Sequence, residues 1–248
     1  MAHIETYSYG QGRVYLAERL PNGEPKNLRW VGDISEANLA LSTEEFTHKE
    51  SYSGQRLEVR KINTGKSGEL TLKFHEFSSE NLALLLLGEH SKIEAGTVTG
   101  ESLPKDIKVG DRIALKHVKV SDVTINGMTE NTDFVVDKTF GTLEFLTEHT
   151  NNTETVAYSY GEVLNVAMLT SNPKNLFLRY EGINLAEQNE WIMLELYKIN
   201  FNPTDALALI NNDNSLAALS AKAKVLADTT KTGDTVLGRF GRIQTIKQ

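Results

Sequence analysis

The sequence predicts a mainly β protein. Apolar and polar residues alternate over short runs, Gly, Asn and Pro punctuate those runs, and one segment alone has convincing helical spacing. Arg13–Leu20 and Leu28–Val31 flank Pro21-Asn22-Gly23, a turn signal between β-rich runs, and predict a hairpin. From Ile34 to Ser42 one parity carries Ala37, Leu39 and Leu41, and the other carries Glu36, Asn38, Ala40 and Ser42. That period of two with a polar face is the pattern of a half-buried strand. It returns after Gly65-Lys66-Ser67-Gly68, with Leu70, Leu72 and Phe74 opposite Glu69, Thr71, Lys73 and His75.

Between these strands lies a charged stretch, Thr43–Arg56, that passes through Ser53-Gly54. Most hairpin loops span about two to five residues, so a connection of this length needs a reason; an assembly arm is one, a mobile loop without a role the other. The helix is predicted next: Ser78 or Ser79 caps it, Phe77 and Leu82 form a hydrophobic staple, and Gly88 supplies the left-handed stop. Leu82, Leu85 and Leu86 make its apolar stripe, widened by Leu84 and Leu87.

Beyond it, residues 89–112 are poor in large apolar groups and predict an excursion from the main sheet. Arg112–Ile125 shifts parity near Lys116-His117, so a bulge or turn belongs there. Phe134–Val136, Gly141–Leu146, Thr155–Tyr160, Asn165–Leu169, Leu176–Ile183 and Glu190–Phe201 complete the strands. Leu219–Ala227 is alanine-rich, yet Leu219, Ala221, Ala223 and Val225 alternate with Ser220, Lys222 and Lys224, which favours a strand. With no linker or repeat dividing it, the chain reads as one domain over residues 1–248.

Chemistry is hard to find. Cysteine is absent, which excludes disulfides, thiolate metal sites and Cys nucleophiles. Gly65-Lys66-Ser67 lacks the upstream glycine of a phosphate loop, since position 60 is Arg, and reads as a polar turn. His75-Glu76 lacks the second histidine of a zinc protease signature, because position 79 is Ser. The histidines (His3, His48, His75, His90, His117, His149) show no ligand spacing, and Glu44-Glu45 and Asp111 are acids without a partner pattern. Asn151-Asn152-Thr153 matches a glycosylation sequon but reads as a loop. Trp30 and Trp191 are expected as core or interface anchors ahead of sugar-stacking platforms. No enzyme activity, cofactor or metal is expected.

The formal charge of −7 disfavours tight binding to a phosphate backbone. No run approaches the ~20 apolar residues of a membrane span, and the N-terminus shows neither the charged nor the apolar region of a secretory signal.

Two regions resemble the major tail tube proteins of bacteriophages with long, flexible, non-contractile tails. The first runs from Gly32-Asp-Ile-Ser-Glu-Ala-Asn-Leu-Ala-Leu through His48-Lys-Glu-Ser-Tyr-Ser-Gly-Gln-Arg56 and Gly65-Lys-Ser-Gly68 to Phe77-Ser-Ser-Glu-Asn-Leu-Ala-Leu. The second comprises Glu190–Pro203, Lys224-Val-Leu-Ala-Asp and Gly238-Arg-Phe-Gly-Arg-Ile. Asp133-Phe-Val-Val-Asp-Lys-Thr-Phe-Gly-Thr-Leu-Glu-Phe, between them, resembles a strand–turn–strand element of phage tail proteins generally.

The resemblance implies a tail-tube-type β-sandwich or barrel with one short flanking helix at about residues 78–87. Its subunits would form hexameric rings, joined into a continuous β-barrel and stacked into a hollow conduit for genome ejection. The implied partners are further copies of the chain, a tape measure protein in the lumen, tail terminator and distal tail proteins at the ends, and viral DNA in transit without specific binding. The implied setting is the virion tail, assembled in the host bacterial cytoplasm. No C-terminal immunoglobulin-like addition is expected before Gln248.

In that picture Glu36, Asn38, Ser42, Glu69, Thr71, Lys73 and His75 line a mildly acidic lumen, or alternatively an outer solvated face. The arm at residues 43–56 stacks rings through Glu44, Glu45, Phe46, Lys49, Glu50, Tyr52 and Arg56. Alternatives are another ring-forming tail component, such as a distal-tail or contractile-tail tube protein, and a glycan-binding β-sandwich with aromatics at an exposed cleft. A hydrolase built on paired acids is the least supported.

Overall fold

A computed structural model describes residues 6–150, 154–187, 190–212 and 214–247. The expected sequon Asn151–Thr153 and His3 lie outside the described residues. The fold is mainly β, as the alternation predicts, with one helix. The chain divides into two compact units, residues 1–89 with 167–248, and residues 90–166. The excursion expected at 89–112 is only the start of the second unit. Its opening strands leave little apolar period, because β5 (Glu89–Ile93) is exposed throughout and β6 (Gly96–Ser102) is only partly buried, with Val98 against the core.

The first unit is built on an eight-stranded open sheet in the order β2-β1-β13-β14-β15-β4-β3, with β16 also paired to β14. These strands are β1 (Gly10–Arg19), β2 (Pro25–Trp30), β3 (Ile34–Lys49), β4 (Glu58–Phe74), β13 (Asn175–Asn184), β14 (Glu190–Phe201), β15 (Leu219–Val225) and β16 (Gly241–Lys247). The first hairpin turns at Gly23, whose φ of 86° suits glycine. Parity decides the rest. Leu70, Leu72 and Phe74 of β4 and Leu219, Ala221, Ala223 and Val225 of β15 face a core shared with Val14, Leu16, Leu178, Ile199 and Phe201. Burying Leu219 and Val225 stabilises by roughly 1.5–3 kcal/mol each, which favours β15 as a strand despite its alanines. β16, not foreseen, pairs along Glu190–Leu196.

The helix α1 (Ser79–Leu85) starts as predicted, the Ser78 hydroxyl accepting from the Asn81 N–H. Leu85 is fully buried, and Leu82 and Leu84 pack against the core. Its end corrects the sequence reading: Leu87, not Gly88, takes the left-handed conformation (φ 46°), and the Gly88 N–H returns to the Ala83 carbonyl at 2.7 Å. That hydrogen bond closes a Schellman turn and satisfies a carbonyl the helix would otherwise leave open.

The second unit contains β7 (Arg112–Ala114), β8 (Val120–Ile125), β9 (Phe134–Asp137), β10 (Thr142–Phe145), β11 (Thr155–Tyr160) and most of β12 (Val163–Ala167). They form three-stranded sheets β7-β10-β9 and β6-β11-β8, while β5 pairs β12. The predicted break near Lys116-His117 separates β7 from β8 and sends them to different sheets. Phe134, Leu143, Phe145, Val156 and Tyr158 fill this unit's own core. There the Tyr158 hydroxyl donates to Glu101 at 2.5 Å and pairs with His117 Nδ1 at 2.9 Å. Burial, then the Glu101 carboxylate, push the phenol's pKa upward.

Candidate assembly surface

The segment expected as a loop is largely strand. β3 and β4 pair continuously from Ile34↔Phe74 to Lys49↔Glu58, with bulges near Ser35, Thr64 and the tip. β15 covers β4 only from Gly68 onward. Ser42–Lys49 and Glu58–Ser67 therefore form a two-stranded ribbon with no third strand, and Gly65-Lys66-Ser67 lies within a strand instead of a turn. Exposure on both faces removes the single-face period that reveals a strand, which is why the sequence reads as polar loop. The ribbon nevertheless carries apolar side chains into solvent: Phe46, Leu57, Val59 and Ile62 are all exposed, and Tyr52 at the tip is 85% exposed.

Charges on the ribbon are mostly used within it. Lys61 pairs with Glu45 at 2.7 Å and Lys49 with Glu58 at 3.5 Å, while Glu44 and Arg56 make no ion pair among the described residues. Exposed pairs of this kind contribute about 0–1 kcal/mol each, so they tune register more than affinity. Glu50 is engaged within the ribbon tip. Its carboxylate is buried and accepts the N–H groups of Tyr52 and Ser53 at 2.8 and 2.9 Å, the N–H of Leu57 at 3.2 Å, and the Ser53 hydroxyl.

Those bonds, the Ser53 hydroxyl first, hold the Glu50 pKa down to about 2 from an ordinary 4.5, against the opposing effect of desolvation. A depressed carboxyl stabilises the fold fully above its unfolded value and loses that contribution as pH falls through the folded one. The amide shifts of Tyr52, Ser53 and Leu57 should therefore titrate with a midpoint near 2, and Glu50→Gln should abolish that titration. A midpoint near 4.5 would contradict the network.

Six of the seven predicted lumen residues share one face. Directly opposed residues on antiparallel strands point the same way, and the register opposes Glu36 to Lys73, Asn38 to Thr71, and Ala40 to Glu69, with Ser42 against Ser67. Lys73 bridges Glu36 at 2.6 Å, and Asn38 donates to Glu36 at 2.7 Å. His75 lies past the end of β4, and its Nδ1 sits 3.1 Å from the Ala217 carbonyl oxygen.

The same register adds Ser220, Lys222 and Lys224 to this face, residues whose alternation the sequence shows but whose partner strand it does not. Counting them, three lysines stand against two glutamates. The expected mildly acidic surface is thus corrected to a mixed one with a slight excess of positive charge. The face is open to solvent, and both end strands of the path, β2 and β3, leave one edge unpaired.

The sheet face turned away from the core holds a second feature, an open groove of 740 Å³ over β1, β13, β14 and β16. Across it runs a row Gln11, Ile183, Trp191, Ile246, one residue per strand. Below lie Arg13, Glu181 and Met193, then Tyr15, Arg179, Glu195 and Arg242. Gly12 and Gly182 are opposite each other, and a Cβ at Gly182 would meet the Tyr180 hydroxyl at 2.1 Å, so the tyrosine ring fills their side-chain space from the core side. Glu195 is buried between Arg179 (3.2 Å) and Arg242 (2.7 Å), which occupies the central charges of this face. Trp191 and Trp30 are respectively 43% and 52% exposed, so neither is the core anchor considered from sequence. Arg13 lies over the Trp30 ring at 5.7 Å.

No described group of three or more His, Asp or Glu side chains could hold a metal, and Asp111 instead accepts the Lys108 N–H at 2.8 Å in a turn. Among the described residues no helix is long and apolar enough to cross a membrane. A search of curated proteins finds no match. One family model matches residues 7–244, almost the whole described chain, and by that match the chain belongs to the family described as "Protein of unknown function UCP028589".

Proposed function

We propose that this chain is the structural subunit of a bacteriophage tail tube, forming rings that stack into a hollow conduit for the genome. The observation that carries the reading is the β3–β4 ribbon, a two-stranded element reaching past the sheet with exposed aromatic and aliphatic side chains. A lone two-stranded hairpin is at best marginally stable in water, and monomers usually blunt an open sheet edge. Here the ribbon and the edge strand β3 are one element, which suits completion by neighbouring copies.

The polar face of β3, β4 and β15 is the candidate lumen wall. Its near balance of charge favours passage over retention of DNA, since attraction to a phosphate backbone grows with each cation that releases counterions. The proposed partners are further copies in hexameric rings, a tape measure protein inside, and tail terminator and distal tail proteins at the ends, all in the virion tail.

Negative-stain microscopy of the purified protein tests the reading. Long tubes without added cofactor are expected; isolated rings would favour another ring-forming tail component, and monomers at every concentration would count against both.

A further inference from the structure

Trp191, with Ile183 and Ile246 beside it, lines the open groove, and Trp30 is exposed on the neighbouring strand β2. The same molecule exposes Phe46 and Ile62, which oppose each other across the ribbon, and Val59 nearby. One surface is concave and the other is a protruding hairpin, so neither complements itself. A contact between them is head-to-tail, the kind that propagates into closed rings or open stacks instead of stopping at a dimer.

One charge on each surface suits this pairing. Arg13 at the groove and Glu44 on the ribbon are each without an ion pair among the described residues, whereas Arg179, Glu181 and Glu195 satisfy one another. That internal satisfaction also argues against a sugar. A saccharide needs free polar groups beside the aromatic platform, and here Arg179 and Glu181 are engaged with each other.

We infer that the groove bounded by Trp191, Ile246 and Arg13 receives the β3–β4 ribbon of a second copy of this chain, with Phe46 and Ile62 seated against Trp191 and Ile246. This rests on the self-assembly proposed above and gives the ribbon its receptor. The groove side chains would exclude water around a central aromatic anchor, as binding hot spots do, and Arg13 would meet Glu44 at the rim.

The absence of cysteine makes the contact directly testable. Phe46→Cys and Ile246→Cys are prepared as separate proteins, mixed, assembled and treated with a short bismaleimide cross-linker. A covalent dimer that needs both variants is expected, and a chain carrying both substitutions should give a ladder of higher multimers. In parallel, tryptophan emission of the unmodified chain should shift to the blue on assembly, and Phe46→Asp should abolish that shift while far-UV circular dichroism stays unchanged.

Tubes that form without the 46–246 cross-link or the emission shift would overturn the groove assignment and leave the tube reading standing. Absence of any assembly by the unmodified protein would overturn both. Quenching of the tryptophans by soluble oligosaccharide in place of a second copy would overturn the groove assignment in favour of glycan binding.

Discussion

Asp228→Ala is expected to lower stability by about 3–5 kcal/mol, the loss typical when one partner of a buried ion pair is removed. Asp228 is fully buried, and Arg19 holds it with two hydrogen bonds, Nε to Oδ2 at 2.7 Å and Nη2 to Oδ1 at 2.6 Å. The Thr230 hydroxyl and N–H complete its shell at 2.7 and 2.9 Å. The bridge joins β1 to the segment after β15, whose Lys231 lies 5.3 Å over the Tyr197 ring and whose Leu237 carbonyl accepts the Tyr197 hydroxyl. Truncation leaves the Arg19 guanidinium, itself only 12% exposed, without its counter-charge.

For a chain of this size the loss corresponds to a melting-temperature fall of roughly 6–20 °C, measurable by calorimetry. Replacing both partners with apolar residues of similar volume should recover much of it, because a buried pair returns little beyond its own desolvation. A fall below about 1 kcal/mol for the single variant would show that the pair is screened like a surface bridge.

The pair also sets an acid limit. Burial pushes the Asp228 carboxyl up, but the bonds from Arg19 and Thr230 outweigh it and hold the group below its ordinary 3.8. Its contribution is therefore complete above that value and is lost as pH falls beneath it. In Asp228→Ala the acid limb of the stability profile should flatten.

The parts of the fold that were legible in the sequence are those where one face is buried. Leu70, Leu72 and Phe74 announce β4, and Leu219 to Val225 announce β15, because a slip by one residue would turn each set outward. Glu89–Ile93 is exposed throughout, so β5 left no period to find, and β16 has its last five residues in solvent. The helix stop was misplaced by one residue because Leu87 adopts a conformation more often given to glycine, and hydrogen bonding to Ala83 fixes it there.

The site divides along the same line. The polar face could be read from two strands, whereas Lys222 and Lys224 joined it only once β15 was known to lie beside β4. The groove was illegible, since it sets the β13–β14 hairpin, carrying Ile183 and Trp191, between strands from the two ends of the chain that carry Gln11 and Ile246.

Deleting His48–Gln55 is expected to abolish tube formation completely while leaving a folded monomer. The core begins at Gly68 on β4 and does not draw on the ribbon tip, so circular dichroism and melting temperature should stay close to those of the parent. Thr47 is opposite Lys61, and joining it to Arg56 leaves residues 56–60 to close the turn, a length common in hairpins.

What disappears is Tyr52, the Glu50-organised tip and the His48–Arg60 and Lys49–Glu58 pairs that carry the ribbon past Phe46 and Ile62. If affinity came from scattered surface ion pairs, worth about 0–1 kcal/mol each, losing Lys49–Glu58 would only weaken assembly. If it comes from a few desolvated aromatic and aliphatic anchors, removing Tyr52 and the tip that presents it abolishes assembly even though Phe46 and Ile62 stay paired. Tubes of normal appearance from the deleted protein under negative stain would refute the arm's role, and shorter or rarer tubes would assign the affinity to the charges.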